Sequence, residues 1–190
     1  TSVIENFMKE FPDYPFKETV NSDIILSRKK MYPVRQNEKW GFMDSAGVVD
    51  IACKYDWVNH FSEGVAECGL NEKVGFIDKT GNVVIPFDYE EVEAFENGLS
   101  ICRKGGKYGI INKRGKVVVP FQYDEITPYS EGLAAVEQEA KYGYINETGN
   151  LVIPIMYSKA GKFSEGLASV ELNELNGFIF DPFLSPFKLF

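Results

Sequence analysis

Apolar and polar residues along this chain alternate in short bursts, not at helical spacing. Segments such as Leu133–Gln138, Lys141–Asn146 and Leu151–Pro154 run for only a few residues and are divided by Gly, Asn, Asp or Pro. That is the pattern of short strands separated by turns. The link between the first two segments is tight, as at Gly105-Gly106 one copy earlier. The second and third are joined by Asn146-Glu147-Thr148-Gly149, and the same D/N-x-x-G pattern stands at Asp44–Gly47, Asp78–Gly81 and Asn112–Gly115. An Asp or Asn at the head of a type I turn accepts a backbone N–H, and Gly takes the left-handed position after it. Gly47, Gly81, Gly115 and Gly149 are therefore expected to be structural turn residues, and each trio of segments an antiparallel three-stranded meander. The N-terminus reads differently. Val3, Ile4, Phe7, Met8 and Phe11 fall on one helical face, Ser2 and Glu5 form a capping box, and Pro12 stops the helix.

The meander repeats. Gly41, Gly75, Gly109, Gly143 and Gly177 recur every 34 residues, and so do Tyr55, Tyr89, Tyr123 and Tyr157, the aromatics Phe61, Phe95, Tyr129 and Phe163, and Gly64, Gly98, Gly132 and Gly166. A helical repeat of this period is excluded by the Gly and Pro content of each copy. Pro86, Pro120 and Pro154 are expected to end the third strand, since Pro donates no ladder hydrogen bond. The recurring Tyr and Phe of the connector are expected to pin it to the sheet. Phe76 and Ile77 are adjacent in the middle strand and must face opposite ways, so both faces of the sheet need cover. One small meander cannot supply that, and copies must stack. The fold class expected is an all-β repeat protein: three-stranded antiparallel units of period 34 stacked in an open curved array. The alternative is a small closed propeller-like ring in which the N-terminal strands complete the last unit. Residues 1–30 form an N-terminal cap (short helix plus connector), 31–181 the repeats, and 182–190 a Phe-rich capping tail that acts as a third strand or a plug. Helix and tail are expected to close the two open ends.

Lys39-Trp40-Gly41-Phe42, the D-x-x-G turn, the V-I-P-x-x-Y segment and the F-S-E-G-L-A segment together resemble the WG (or KWG) repeat of bacterial proteins. The resemblance covers about residues 31–181. Only the first copy keeps the tryptophan, and that copy replaces V-V-I-P with Val49-Asp50-Ile51-Ala52. The resemblance implies a β-rich array that binds other proteins, with no common catalytic residues to carry over.

Composition narrows function by exclusion. Of 190 residues, 44% are hydrophobic and 25% charged, the balance of a globular chain. A net charge of −8 argues against a nucleic-acid surface. The longest apolar runs, as at Val117–Phe121, are far too short to insert in a membrane. One His and three Cys are too few for a zinc cage, and no phosphate-binding loop motif occurs, so neither metal nor cofactor is expected. The chain starts at Thr1, which reads as a processed N-terminus, and residues 1–20 carry no signal-peptide pattern.

Cys53, Cys68 and Cys102 occupy repeat positions held elsewhere by Phe, Ile or Val, which makes them buried free thiols and favours a cytoplasmic over an exported setting. A Cys68–Cys102 disulfide is the alternative. Candidate binding residues are those that stand out. Asp56, Glu90, Glu91, Asp124 and Glu125 come just after the recurring tyrosines and would stack into an acidic stripe, either a solvated face or a docking strip for a basic partner. The lysines Lys39, Lys73, Lys107 and Lys141 are expected to answer Glu63, Glu131 and Glu165. Trp57 stands where its siblings are Glu91, Glu125 and Lys159, so it is either a partly exposed anchor or packs on the N-terminal segment. His60 shares its connector. The function expected is a non-catalytic binding module for a protein partner. A glycan or cell-wall ligand held on exposed aromatics is the alternative.

Overall fold

A computed structural model of the chain describes residues 2–183. Among these, helices α1 (Ser2–Glu10) and α2 (Lys17–Arg28) precede five antiparallel sheets. Sheet 1 contains β1 (Tyr32–Gln36), β2 (Lys39–Met43) and β3 (Val49–Tyr55). Sheet 2 contains β4 (Trp57–Val58), β5 (Val65–Leu70), β6 (Lys73–Asp78) and β7 (Val83–Tyr89). Sheet 3 contains β8 (Glu91–Val92), β9 (Leu99–Lys104), β10 (Lys107–Asn112) and β11 (Val117–Tyr123). Sheet 4 contains β12 (Glu125–Ile126), β13 (Leu133–Gln138), β14 (Lys141–Asn146) and β15 (Leu151–Tyr157). Sheet 5 contains β16 (Lys159–Ala160), β17 (Leu167–Leu172) and β18 (Leu175–Phe180). The all-β stacked architecture matches the expectation, and among the described residues no N-terminal strand completes sheet 5 to close a ring.

Two details correct the three-stranded meander. The start of each connector forms a two-residue strand that pairs with the strand after it, as in Glu125↔Glu137 and Ile126↔Val136, so the middle sheets have four strands. The third strand also runs through its proline to the tyrosine. In sheet 4, Tyr144 pairs with Ile153 but Tyr142 pairs with Tyr157, which leaves two extra residues bulged out on β15. Pro154 lies on this outermost strand, where a missing N–H costs no ladder bond. The bulge explains the recurring glycine opposite it. A Cβ on Gly143 would stand 2.6 Å from the Ile153 carbonyl oxygen and 2.8 Å from the Ile155 nitrogen. Gly41, Gly75 and Gly109 meet the equivalent backbone.

The turn assignment holds. Gly47, Gly81, Gly115 and Gly149 have φ of +83°, +84°, +72° and +82°. Asp44 Oδ1 accepts N–H bonds from Ala46 and Val48 at 2.8 and 2.9 Å, and Asp78, Asn112 and Asn146 do the same in their copies. The hairpin links are two-residue turns with both residues at positive φ, as at Asn71 (52°) and Glu72 (62°). Of these five links, only Gly105-Gly106 uses glycine.

The core lies between sheets. Phe42, Ile51 and Tyr55 of sheet 1 pack on Ala66, Cys68 and Ile77 of sheet 2. Phe76, Ile85 and Tyr89 of sheet 2 pack on Cys102 and Ile111 of sheet 3, and the series continues to sheet 5. Phe76 and Ile77 thus enter different cores, one on each side of their sheet. The connector aromatics do act as pins: Phe61, Phe95 and Phe163 lie with ring centroids 4.7, 4.8 and 5.0 Å from Phe42, Phe76 and Tyr144.

The N-terminal cap differs from expectation. Residues 17–28 form a second helix, and neither helix packs broadly on a sheet. Phe11, Phe16 and Ile25 remain 50%, 62% and 70% exposed. The first core is sealed instead by the segment after α2. Met31 is buried, Lys29 pairs with Asp50 at 2.7 Å, and Lys79 Nζ donates to the carbonyls of Ser27 and Lys29. Of the expected C-terminal tail, residues 184–190 lie outside the described residues, and Phe183 is 64% exposed.

Candidate binding surface

The acidic positions are largely engaged within the fold. Glu90 accepts the N–H groups of Gly105 and Gly106 at 2.9 and 3.1 Å, across the tip of the β9–β10 hairpin. Asp56 and Asp124 do the same for Asn71 and Glu139, at 2.8 and 2.9 Å. Each carboxylate satisfies N–H groups of a turn held at positive φ, and Asp56 and Asp124 do so for turns without glycine. Asp56 and Asp124 also pair with Lys39 and Lys107, whose ammonium groups and the turn amides hold both carboxyls below their usual range. The lysine ladder therefore answers Asp56 and Asp124 at these two positions. Glu63 pairs instead with Lys113 at 2.8 Å, and Glu131 accepts the N–H groups of Glu165 and Gly166. Glu91 binds Arg103 at 2.9 Å and accepts the Tyr108 hydroxyl at 2.8 Å. Glu125 faces Glu137 across the strand pair and makes no ion pair among the described residues.

Trp57 packs on its own sheet. It pairs with Gly69, and its indole fills the place a Cβ there would take. The equivalent pairs are Glu91↔Arg103, Glu125↔Glu137 and Lys159↔Glu171, so a bulky apolar residue over a glycine replaces a charged pair. The ring stays 38% exposed. His60 is exposed beside an open depression lined by Ser27–Tyr32, Phe61 and Lys79, with no cysteine in it. All three cysteines are free, so the disulfide alternative does not hold. Cys68 and Cys102 are buried, which pushes each thiol up to about 12, while Cys53 is half-buried. Among the described residues no three His, Cys, Asp or Glu side chains come together to hold a metal ion, and no helix is long and apolar enough to cross a membrane. A cavity of about 50 Å³ beside Glu93, Leu99, Ile101 and Tyr129 has room for little more than water.

Two features escaped the sequence reading. Glu67 is 7% exposed on the face of sheet 2 that meets sheet 3, at the position of Ile101, Ala135 and Ser169. Asn59 Nδ2 donates to it at 2.7 Å, and burial raises its pKa. Glu93 is raised too, by burial first and then by Glu96 and Glu67. The repeat column E-I-A-S was the available signal. The second feature is an apolar row. β3, β7, β11 and β15 are the outermost strands of their sheets. Val49, Val83, Val117 and Leu151 hold one repeat position on them and are 37%, 51%, 44% and 48% exposed. Two residues on, Ile51, Ile85, Val119 and Ile153 are buried. At the usual sheet stacking distance the row advances about 10 Å per unit.

Comparison with known proteins fits this periodicity. A model described as WG containing repeat matches residues 40–73, 75–108, 108–142 and 142–175, most of the chain. The chain belongs to the WG-containing repeat family. Each matched WG repeat starts in the strand that follows the hairpin of one sheet and ends near the hairpin of the next, so repeat and sheet are out of phase. No match is found among curated proteins. Among solved structures, one titled "Crystal structure of the eukaryotic initiation factor" is similar with a TM-score of 0.50 at 11% identity, over 80% of this chain and 49% of that one. The WG chain thus spans about half the length of that structure, and the likeness concerns the fold alone.

Proposed function

We propose that this WG-repeat chain is a non-catalytic module that binds an extended protein partner along the row Val49, Val83, Val117 and Leu151. The observation that supports this is the row itself: one exposed aliphatic position kept on four successive outer strands. Burying each side chain under a partner contributes on the order of 1 kcal/mol, and a partner touching several sums them. Pro86, Pro120 and Pro154 sit on these edges and oppose strand addition, so the partner is held by side-chain contact across the strands. The chain's charge of −8 favours a partner with basic residues flanking its apolar ones. A glycan ligand would be held on a repeating row of aromatic shelves, and the recurring Tyr55, Tyr89 and Tyr123 are buried and do not form one.

The test is capture of host proteins on the immobilised chain, comparing wild type with Val83→Lys/Val117→Lys. These side chains are exposed, so melting should stay near wild type while capture of the specific partners is lost. Equal capture by the double variant rejects the row. Loss of capture only when Glu90, Glu91, Asp124 and Glu125 are neutralised would return the site to the acidic positions.

A further inference from the structure

The two faces of sheet 5 differ. The face towards sheet 4 is filled: Ala168 and Val170 are 1% and 8% exposed. The other face carries Leu167, Phe178 and Phe180, which are 37%, 72% and 69% exposed. One repeat earlier, Leu133 and Tyr144 occupy the positions of Leu167 and Phe178, are 2% and 1% exposed, and hold sheet 5 in place. The face that forms every internal interface of this array is thus uncovered at its C-terminal end among the described residues. At the other end, sheet 1 presents Tyr32, Val34 and Met43. They hold the repeat positions of Ala66, Cys68 and Ile77, the residues by which sheet 2 seats on sheet 1. Tyr32 is 42% exposed and shares an open depression with Met43, beside the Asp44–Gly47 turn.

We propose that the open face of sheet 5 docks the N-terminal face of sheet 1 from a second copy of this chain, so that copies assemble head to tail and continue the stack. Leu167, Phe178 and Phe180 would cover Tyr32, Val34 and Met43, as Leu133 and Tyr144 cover Ala168 and Val170 within the chain. Polar groups agree with the same register. Within the chain, Glu131 accepts the backbone N–H groups of Glu165 and Gly166 from the next connector, and Glu63 does so for Gly98. Glu165 holds the equivalent position on sheet 5 and is exposed. The repeat register places Lys30 of the incoming copy opposite it, and Lys30 is exposed. The contact is heterologous, with different surfaces on the two copies, so it makes chains or rings of copies. This surface is separate from the row on the outer strands.

Sedimentation velocity over a concentration series tests the proposal. The wild type should shift from one chain towards dimers and longer species as concentration rises. Phe178→Asp and Tyr32→Asp, each altering an exposed side chain on one end, should each run as a single chain. Mixing the two variants should restore a one-to-one dimer and nothing longer, because each supplies one intact end. Leu167→Asp with the same mixing behaviour covers the case in which Phe178→Asp fails to fold, judged by circular dichroism. A wild type that stays a single chain throughout overturns the proposal. So does assembly abolished by Phe178→Asp but kept by Tyr32→Asp, which would mean two sheet-5 faces meeting each other.

Discussion

Sheets 4 and 5 share their repeat positions and differ in cover: sheet 5 packs on the C-terminal face of sheet 4, and among the described residues the same face of sheet 5 is open. Gly143 lies under the bulge of β15, whereas Gly177 has nothing among the described residues within 4 Å of where its Cβ would stand. Tyr144 is 1% exposed and its hydroxyl donates to the Gly161 carbonyl at 2.7 Å, while Phe178 at the same position is 72% exposed. The lesson is that a WG repeat carries only half of each of its interfaces. The same residue is core or surface according to whether another unit covers it.

The largest effect should come from breaking that contrast at its centre. Tyr144→Ala should cost about 3–5 kcal/mol in chemical denaturation, while Phe178→Ala should cost little at concentrations where the chain is monomeric. Equal losses would mean that the face of sheet 5 is covered. The glycine pair comes next. Gly143→Ala forces a Cβ onto a backbone carbonyl and should lose about 1–3 kcal/mol. Gly177→Ala should be neutral or gain a few tenths by restricting the unfolded chain.

Gly149→Val should lose about 1–3 kcal/mol through a left-handed β-branched residue. It should exceed Gly47→Val, since a Cβ on Gly149 also meets the Val118 carbonyl at 2.9 Å and one on Gly47 meets nothing. Thermal melts of the two variants decide the order.

The smallest effect extends the comparison to sheet 2, where buried Glu67 stands in the place of Ala135. A carboxyl whose pKa is raised in the fold binds more protons folded than unfolded. Its contribution to stability therefore falls as pH rises from its ordinary 4.5 through the folded value. Glu67→Gln should remove that slope and stabilise the chain at neutral pH relative to wild type. An unchanged difference between the two proteins from pH 4 to 8 would show that Glu67 is already hydrated.

Much of the fold was legible because repetition turns one chain into several readings of the same rule. Gly47, Gly81, Gly115 and Gly149 could be placed in turns, and Phe76 with Ile77 required cover on both faces. The site was far less legible. The carboxylates at Asp56, Glu90 and Asp124 looked free because their partners are turn amides, which a side-chain sequence does not display. The exposure of Val49, Val83, Val117 and Leu151 was not legible because an apolar residue in a strand carries no mark of whether that strand lies at an edge.

Local chemistry, written in the order of residues, was enough for the period, the turns, the strand composition and the need to stack. Those depend on backbone conformation and on which side chains shun water, and both act within a few residues. The fourth strand, the bulge over Gly143 and the exposure of the outer row were decided by how units sit beside one another. So was the contrast between Tyr144 and Phe178. Burial belongs to a surface shared by two units, and no single unit's residues state whether the second is there.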